Sequence, residues 1–212
     1  MDAAVDLIAE RGVRNFSLAE ASRRLGVTTA APYRHFADRD ELLAAVAVRA
    51  FGTLGAAVAA GASDADPARR LASMAGAYVR FAGADRPLFE VLFGSGIDKD
   101  RFPEVRQAAG PVNDALISCV GLIYGDDEAA AAALVDAVAA TAHGYATLLL
   151  DGAFSDADTA AGHAARATLA LIEGRAALGS QALGSQALGS QALGSQALGA
   201  QAPGQQAPGQ EP

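Results

Sequence analysis

The residues best placed by type and spacing to do chemistry form one run, Thr28-Thr29-Ala30-Ala31-Pro32-Tyr33-Arg34-His35. Threonine and alanine are short enough to let backbone approach base edges and thymine methyl groups. Arginine bonds guanine or phosphate and histidine can reach phosphate, so the run reads as a surface for double-stranded DNA. A competing reading turns Tyr33 and Phe36, three residues apart, into the core and leaves Arg34 and His35 merely solvated. Arg39 adds a second signal. As the first helical residue after Asp38 it puts a cation at the positive end of a helix dipole, which is locally unfavourable. A phosphate bound at that terminus would reverse the sign of the effect. A surface pair with Asp38 or Asp40 is the alternative.

Other chemistries lack their parts. The three histidines, 35, 143 and 163, have no His or Glu four residues away that would set up a metal site. No Gly-rich phosphate loop and no G-x-S-x-G elbow occurs, so an enzyme is the least favoured class and no cofactor or metal is expected. The single Cys119 reads as a small buried hydrophobe, since a redox switch would need an exposed thiol of low pKa. In the middle of the chain Met74, Tyr78, Phe81, Phe89, Phe93, Ile117 and Tyr124 recur at helical spacing. They are plain core or, with His143, the wall of a hydrophobic pocket for a small-molecule effector. His143 is equally readable as a core histidine.

The elements that must position these residues are helices. Alanine supplies 54 of the 212 residues, about half of the 51% that are hydrophobic, and it has the best intrinsic helix propensity. The net charge of −8 seems to disfavour nucleic acid, but its distribution matters more than its sum. Residues 11–39 hold six Arg against Glu20 and Asp38, whereas residues 51–212 hold nine basic and seventeen acidic residues. Charged and polar breaks argue against a membrane span. Asp2 and Asp6 replace the basic start of a secretory signal, and one Cys forms no internal disulfide, so the cytoplasm is expected.

Ser17-Leu-Ala-Glu20 is a capping-box start for a short helix ending at Leu25-Gly26. Thr28 or Thr29 can cap the next helix, expected to run to about Phe36, with Pro32 tolerated in its first turn. Gly26 suits the tight joint between the two, and Ser22 is small where they must approach. That is helix-turn-helix spacing, in which the second helix enters the major groove. Further helices are expected at 2–12, from Asp38 to about Gly61, and at 67–83, 86–94, 103–124, 127–150 and 157–175. No strand is expected.

The stretch AAVDLIAERGVRNFSLAEASRRLGVTTAAPYRHFADRDELLAAV, residues 3–46, resembles without a gap the DNA-binding domain of the TetR family of bacterial transcriptional regulators. Its G-V-x-x-x-x-x-Y-x-x-F pattern, followed by a charged helix start, carries the resemblance. The resemblance implies DNA contacts from Thr28, Thr29, Ala30, Tyr33, Arg34 and His35. It also implies a phosphate contact from Arg39, where the family usually has Lys. The family usually carries a basic extension ahead of the first helix, and this sequence starts inside that helix, so either the start is late or the arm is missing. A weaker resemblance lies at VDAVAATAHGYATLLLDG, residues 135–152, to family members with a Trp-x3-His-Gly motif; Ala139 takes the Trp position and His143-Gly144 remain.

The expected protein is therefore all-α. Residues 1–46 form a three-helix DNA-binding domain with a helix-turn-helix, and residues 47–176 a helical effector-binding and dimerisation domain. Residues 177–212, built on a repeated LGSQA pentad, read as a low-complexity disordered tail. The family's regulatory domains form homodimers through their last two helices. Residues 127–150 offer a large apolar face (Leu134, Val138, Tyr145, Leu148) and a small one (Ala133, Ala137, Ala140, Gly144, Thr147), and residues 157–175 offer Ala161, Ala165, Leu169 and Ile172. The leading function is a ligand-released repressor that binds a palindromic operator. A helical interaction scaffold without DNA binding is the alternative, ahead of a helical-bundle enzyme.

Overall fold

The computed structural model describes residues 1–174, so the tail expected at 177–212 lies outside the described residues. Among these residues there are eight α-helices and no strands. They are α1 (Asp2–Arg11), α2 (Leu18–Arg24), α3 (Arg39–Gly61), α4 (Pro67–Ala84), α5 (Arg86–Gly94), α6 (Pro103–Tyr124), α7 (Glu128–Leu150) and α8 (Ala157–Glu173).

Starts follow the capping residues. Ser17, Asp38, Asp66, Asp127 and Asp156 each accept a backbone N–H of the first turn through their side chains. The box expected at Ser17 is only half formed: Ser17 accepts from the Glu20 N–H, but the Glu20 carboxylate pairs instead with Arg11 at 2.8 Å and Arg23 at 3.0 Å. At α3 Asp38 accepts from the Glu41 N–H, and the Glu41 carboxylate reaches back past the cap to accept from the N–H of Ala37.

One helix binds the two regions together. α3 begins in the N-terminal head and runs through the boundary expected at residue 46, burying Leu42, Leu43, Val46 and Ala47 and then Phe51, Leu54 and Val58. Around it α4, α6 and α5 pack as the second core, and α5 also touches α1 and a 3-10 turn at Val13–Asn15. α4 and α8 make the most intimate pairing. A Cβ on Gly76 would lie 3.3 Å from the Ala161 carbonyl, so a side chain there would push the two backbones apart by a few tenths of an ångström. Ala161 and Ile172, expected as part of a stripe for a partner helix, are buried, and α8 turns that side onto α4.

Two described helices, α3 and α7, are long and apolar enough to cross a membrane by length and composition alone, a test that the core helix of a soluble protein also passes. Their alanine-rich runs carry too few charges to interrupt them. In α3 half of the apolar window is buried as a core helix; in α7 only 22% is. α7 buries Ala130, Leu134, Val138, Ala142 and Ala146, and leaves Ala140, Gly144 and Leu148 exposed on another side.

Candidate functional site

The head places the sequence-predicted run at its outer surface. α2 is capped at Leu25, Gly26 takes φ 65°, and the chain turns as the Val27 N–H bonds the Ser22 carbonyl. Only glycine adopts that left-handed conformation without strain. Ser22 is fully buried at the joint, its hydroxyl donating to the Leu18 carbonyl at 2.9 Å.

The second helix differs from expectation. In place of a continuous α-helix from Thr28 to Phe36, the chain makes a turn at Thr28–Ala31 and a 3-10 segment at Pro32–Arg34. Pro32 has no N–H to bond the Thr28 carbonyl, so that carbonyl accepts from Ala31 instead, closing a tighter turn. An α-type bond reappears only from the Phe36 N–H to the Pro32 carbonyl. The outward display survives this change. Thr28, Thr29, Ala30, Arg34 and His35 are exposed, Tyr33 is 55% exposed, and Phe36 turns in against the core. Tyr33 and Phe36 thus do not share the fate that the competing reading gave them.

The arginines of the head sort into two groups. Arg11 and Arg23 are held by Glu20, and Arg24 by Glu10 at 2.6 Å. Arg14 and Arg34 are exposed and make no ion pair among the described residues. Arg39, expected at a phosphate or in a surface pair with Asp38 or Asp40, is held within the head. Its guanidinium donates to the carbonyls of Val13 at 2.6 Å and Phe16 at 3.1 Å, and to Asp40 at 3.2 Å. The fork is taken up by the loop between α1 and α2, which offers carbonyls with no helical partner, and this offsets the dipole penalty without a phosphate. Sequence reasoning counted Arg14 but had no motif to single it out; its freedom follows from Glu20 being taken by Arg11 and Arg23. Arg101, in the turn before α6, pairs with Asp38, and with the Glu41 N–H it holds that carboxyl below the usual range.

The regulatory region holds an inner chamber of about 40 Å3, walled by α3, α4, α6 and α7. Of the residues expected in an effector pocket, Met74 and Tyr78 line it. Phe89, Phe93 and His143 adjoin it through a ring cluster around Tyr78, with centroids 4.8 to 6.4 Å apart. Three do not belong. Phe81 is turned about 60° around α4 from Tyr78 and lines a separate groove with α3 and α8. Ile117 is 56% exposed, one residue beyond the chamber's Leu116, and lines a separate groove between α6 and α7. Tyr124, at the end of α6, lines neither space. The sequence reading missed Val58, Leu71, Val112, Leu116, Val138 and Ala142, because it weighed large side chains; their i, i+4 and i+3 spacing was the available signal. No group of three His, Cys, Asp or Glu that could hold a metal occurs among the described residues.

Tyr78 and His143 share a hydrogen bond of 3.0 Å between the phenol oxygen and Nδ1. Burial pushes the Tyr78 phenol up and holds His143 below the ordinary histidine range, so both are neutral near pH 7. A histidine depressed in the fold takes up its proton more readily when unfolded, so stability rises with pH across that interval. Its contribution is complete above about 6.5 and is lost as pH falls toward the lowered value. Thermal melts at pH 7.5 and 5.5 are expected to show a drop in Tm that His143→Gln makes smaller.

Two family models match the chain: bacterial regulatory proteins of the tetR family over residues 1–46, and a tetracyclin repressor-like C-terminal domain over residues 71–172. A protein of unknown function from Rhodococcus sp. RHA1 is 30% identical over 80% of this chain and 91% of its own, with a TM-score of 0.64. The TetR family transcriptional regulator PfmR from Thermus thermophilus is 22% identical over 81% and 94%, with a TM-score of 0.62. RolR, solved in complex with resorcinol, is 26% identical over 87% and 92%, with a TM-score of 0.54. No curated protein matches the sequence. The fold and its exposed head define a DNA-binding transcriptional regulator. The chain belongs to the TetR family.

Proposed function

We propose that this regulator is a ligand-released repressor that binds a palindromic operator as a homodimer. The observation that carries the reading is the outward set Thr28, Thr29, Ala30, Tyr33, Arg34 and His35, with Arg14 and Arg34 making no ion pair among the described residues. Phosphate contacts come from Arg14 and Arg34, and Tyr33 and the threonines read base edges. Arg39 acts from behind, by fixing the loop that carries Arg14. In a dimer two heads meet successive major grooves roughly 34–36 Å apart. The proposed dimer face is the exposed side of α7, where Ala133, Ala137, Ala140, Gly144 and Leu148 stand at helical spacing. A Cβ on Gly144 would meet nothing within 4 Å, so a second backbone has room to approach.

The effector acts through the regulatory core, and the complex of RolR with resorcinol supports a small molecule as its class. A ligand that fits one arrangement of the heads better than another shifts the population between them. α5 is the element in position to carry the change, since Phe89 and Phe93 sit in the ring cluster while the same helix packs on the turn at Val13, whose carbonyl Arg39 holds.

Binding to a random-sequence duplex, followed across salt concentrations, tests the DNA face. Arg34→Ala is expected to weaken binding to all sequences alike and to lower the salt slope by about one. Tyr33→Ala is expected to alter sequence preference. An unchanged slope in Arg34→Ala would overturn its phosphate contact.

A further inference from the structure

The groove between α6 and α7 has no part in DNA contact. It encloses about 510 Å3, within the range of small-molecule sites. Its floor is apolar, with Leu116 and Val120 from α6 and Val135 and Ala139 from α7. The polar side chains that line it are Asn113, Asp114, Glu128 and Asp136, and no Lys, Arg or His joins them. None of these three carboxylates has an ion pair among the described residues, and burial raises the Asp136 carboxyl above its usual range with no cation to oppose it. Leu116 and Ala139 also line the inner chamber, so the groove abuts the space that ends at Tyr78 and His143.

We propose that this groove binds a hydrophobic organic cation, its apolar body on Leu116, Val120 and Val135 and its positive charge beside Asp114 and Asp136. Charge decides between occupants. A neutral apolar ligand would leave the partly buried Asp136 unpaired, and the exposed Asp114 and Glu128 would repel an anion. A second copy of the chain docked here across a two-fold axis would set the same acids of both copies against each other. The groove residues 128, 131, 132, 135 and 139 lie roughly 165° around α7 from the face assigned to the dimer, and Asp136 stands between the two, about 80° from that face. Binding itself stands apart from the regulator reading; only its consequence, release of DNA, rests on it.

Equilibrium dialysis of the full chain against tetraphenylphosphonium and tetraphenylborate, ions of like shape and opposite charge, tests the proposal. The phosphonium is expected to bind at least about tenfold tighter, and Asp114→Asn with Asp136→Asn to remove most of that preference. Equal binding of the two ions, no binding of the phosphonium, or undiminished preference in the double variant overturns the proposal. A parallel gel shift on a random-sequence duplex keeps the two readings apart. Phosphonium binding without DNA binding would sink the regulator reading alone, and the reverse would sink this one alone.

Discussion

Leu148→Glu is expected to convert the proposed dimer to a monomer and to lower affinity for a two-headed operator by roughly 10²–10³-fold, the gain that linking two binding heads supplies. The cause lies in the apolar surface of α7. Its window is only 22% buried in the single chain, and Leu148 is 47% exposed at the end of a line of small residues. Covering such a stripe with its own copy removes it from water while Ala140 and Gly144 permit close approach. A carboxylate at 148 would meet its own symmetry mate in a dry interface. Light scattering gives the mass, and titration of a single half-site separates loss of avidity from damage to the head. A monomer with undiminished affinity for a full operator would rule out the dimer.

Arg39→Ala is expected to loosen the head by about 2 kcal/mol, since the guanidinium makes two charge-assisted bonds to the carbonyls of Val13 and Phe16. Arg39→Lys is the sharper variant. Lysine keeps the charge but cannot reproduce a planar fork reaching two carbonyls from one side. Both substitutions are expected to speed hydrogen exchange at residues 13–16 and to weaken DNA binding. If the Arg39→Lys protein bound DNA as well as the parent chain with unchanged exchange, Arg39 would be a phosphate contact after all and the staple would be incidental.

Much of this fold was legible from local chemistry. Helix starts sit where Ser17, Asp38 and Asp156 can accept an orphan N–H, and such caps act within three residues of the chain. The joint at Gly26 and the small Ser22 were readable for the same reason. What escaped depended on contacts between distant segments. Arg39 meets carbonyls 23 and 26 residues away, which no spacing rule anticipates. Pro32 was correctly placed in a first turn, yet the loss of its N–H tightened the whole segment into a 3-10 turn. The pocket residues were sorted by size, whereas the chamber is walled by whichever side chains point inward. Phe81 and Ile117 are large and helically spaced, and both turn away. The stripe at Ala161 and Ile172 had two suitable partners, α4 and a second copy, and only packing chose between them.

Everything proposed for the head requires that the surface from Thr28 to His35 reads duplex DNA in two symmetry-related copies. Selection of bound DNA from a random pool by the full chain measures this. The expected outcome is enrichment of an inverted repeat whose half-sites lie about one helical turn apart or a multiple of it. Recovery of sequences with no common half-site, from folded protein at low ionic strength, would refute it.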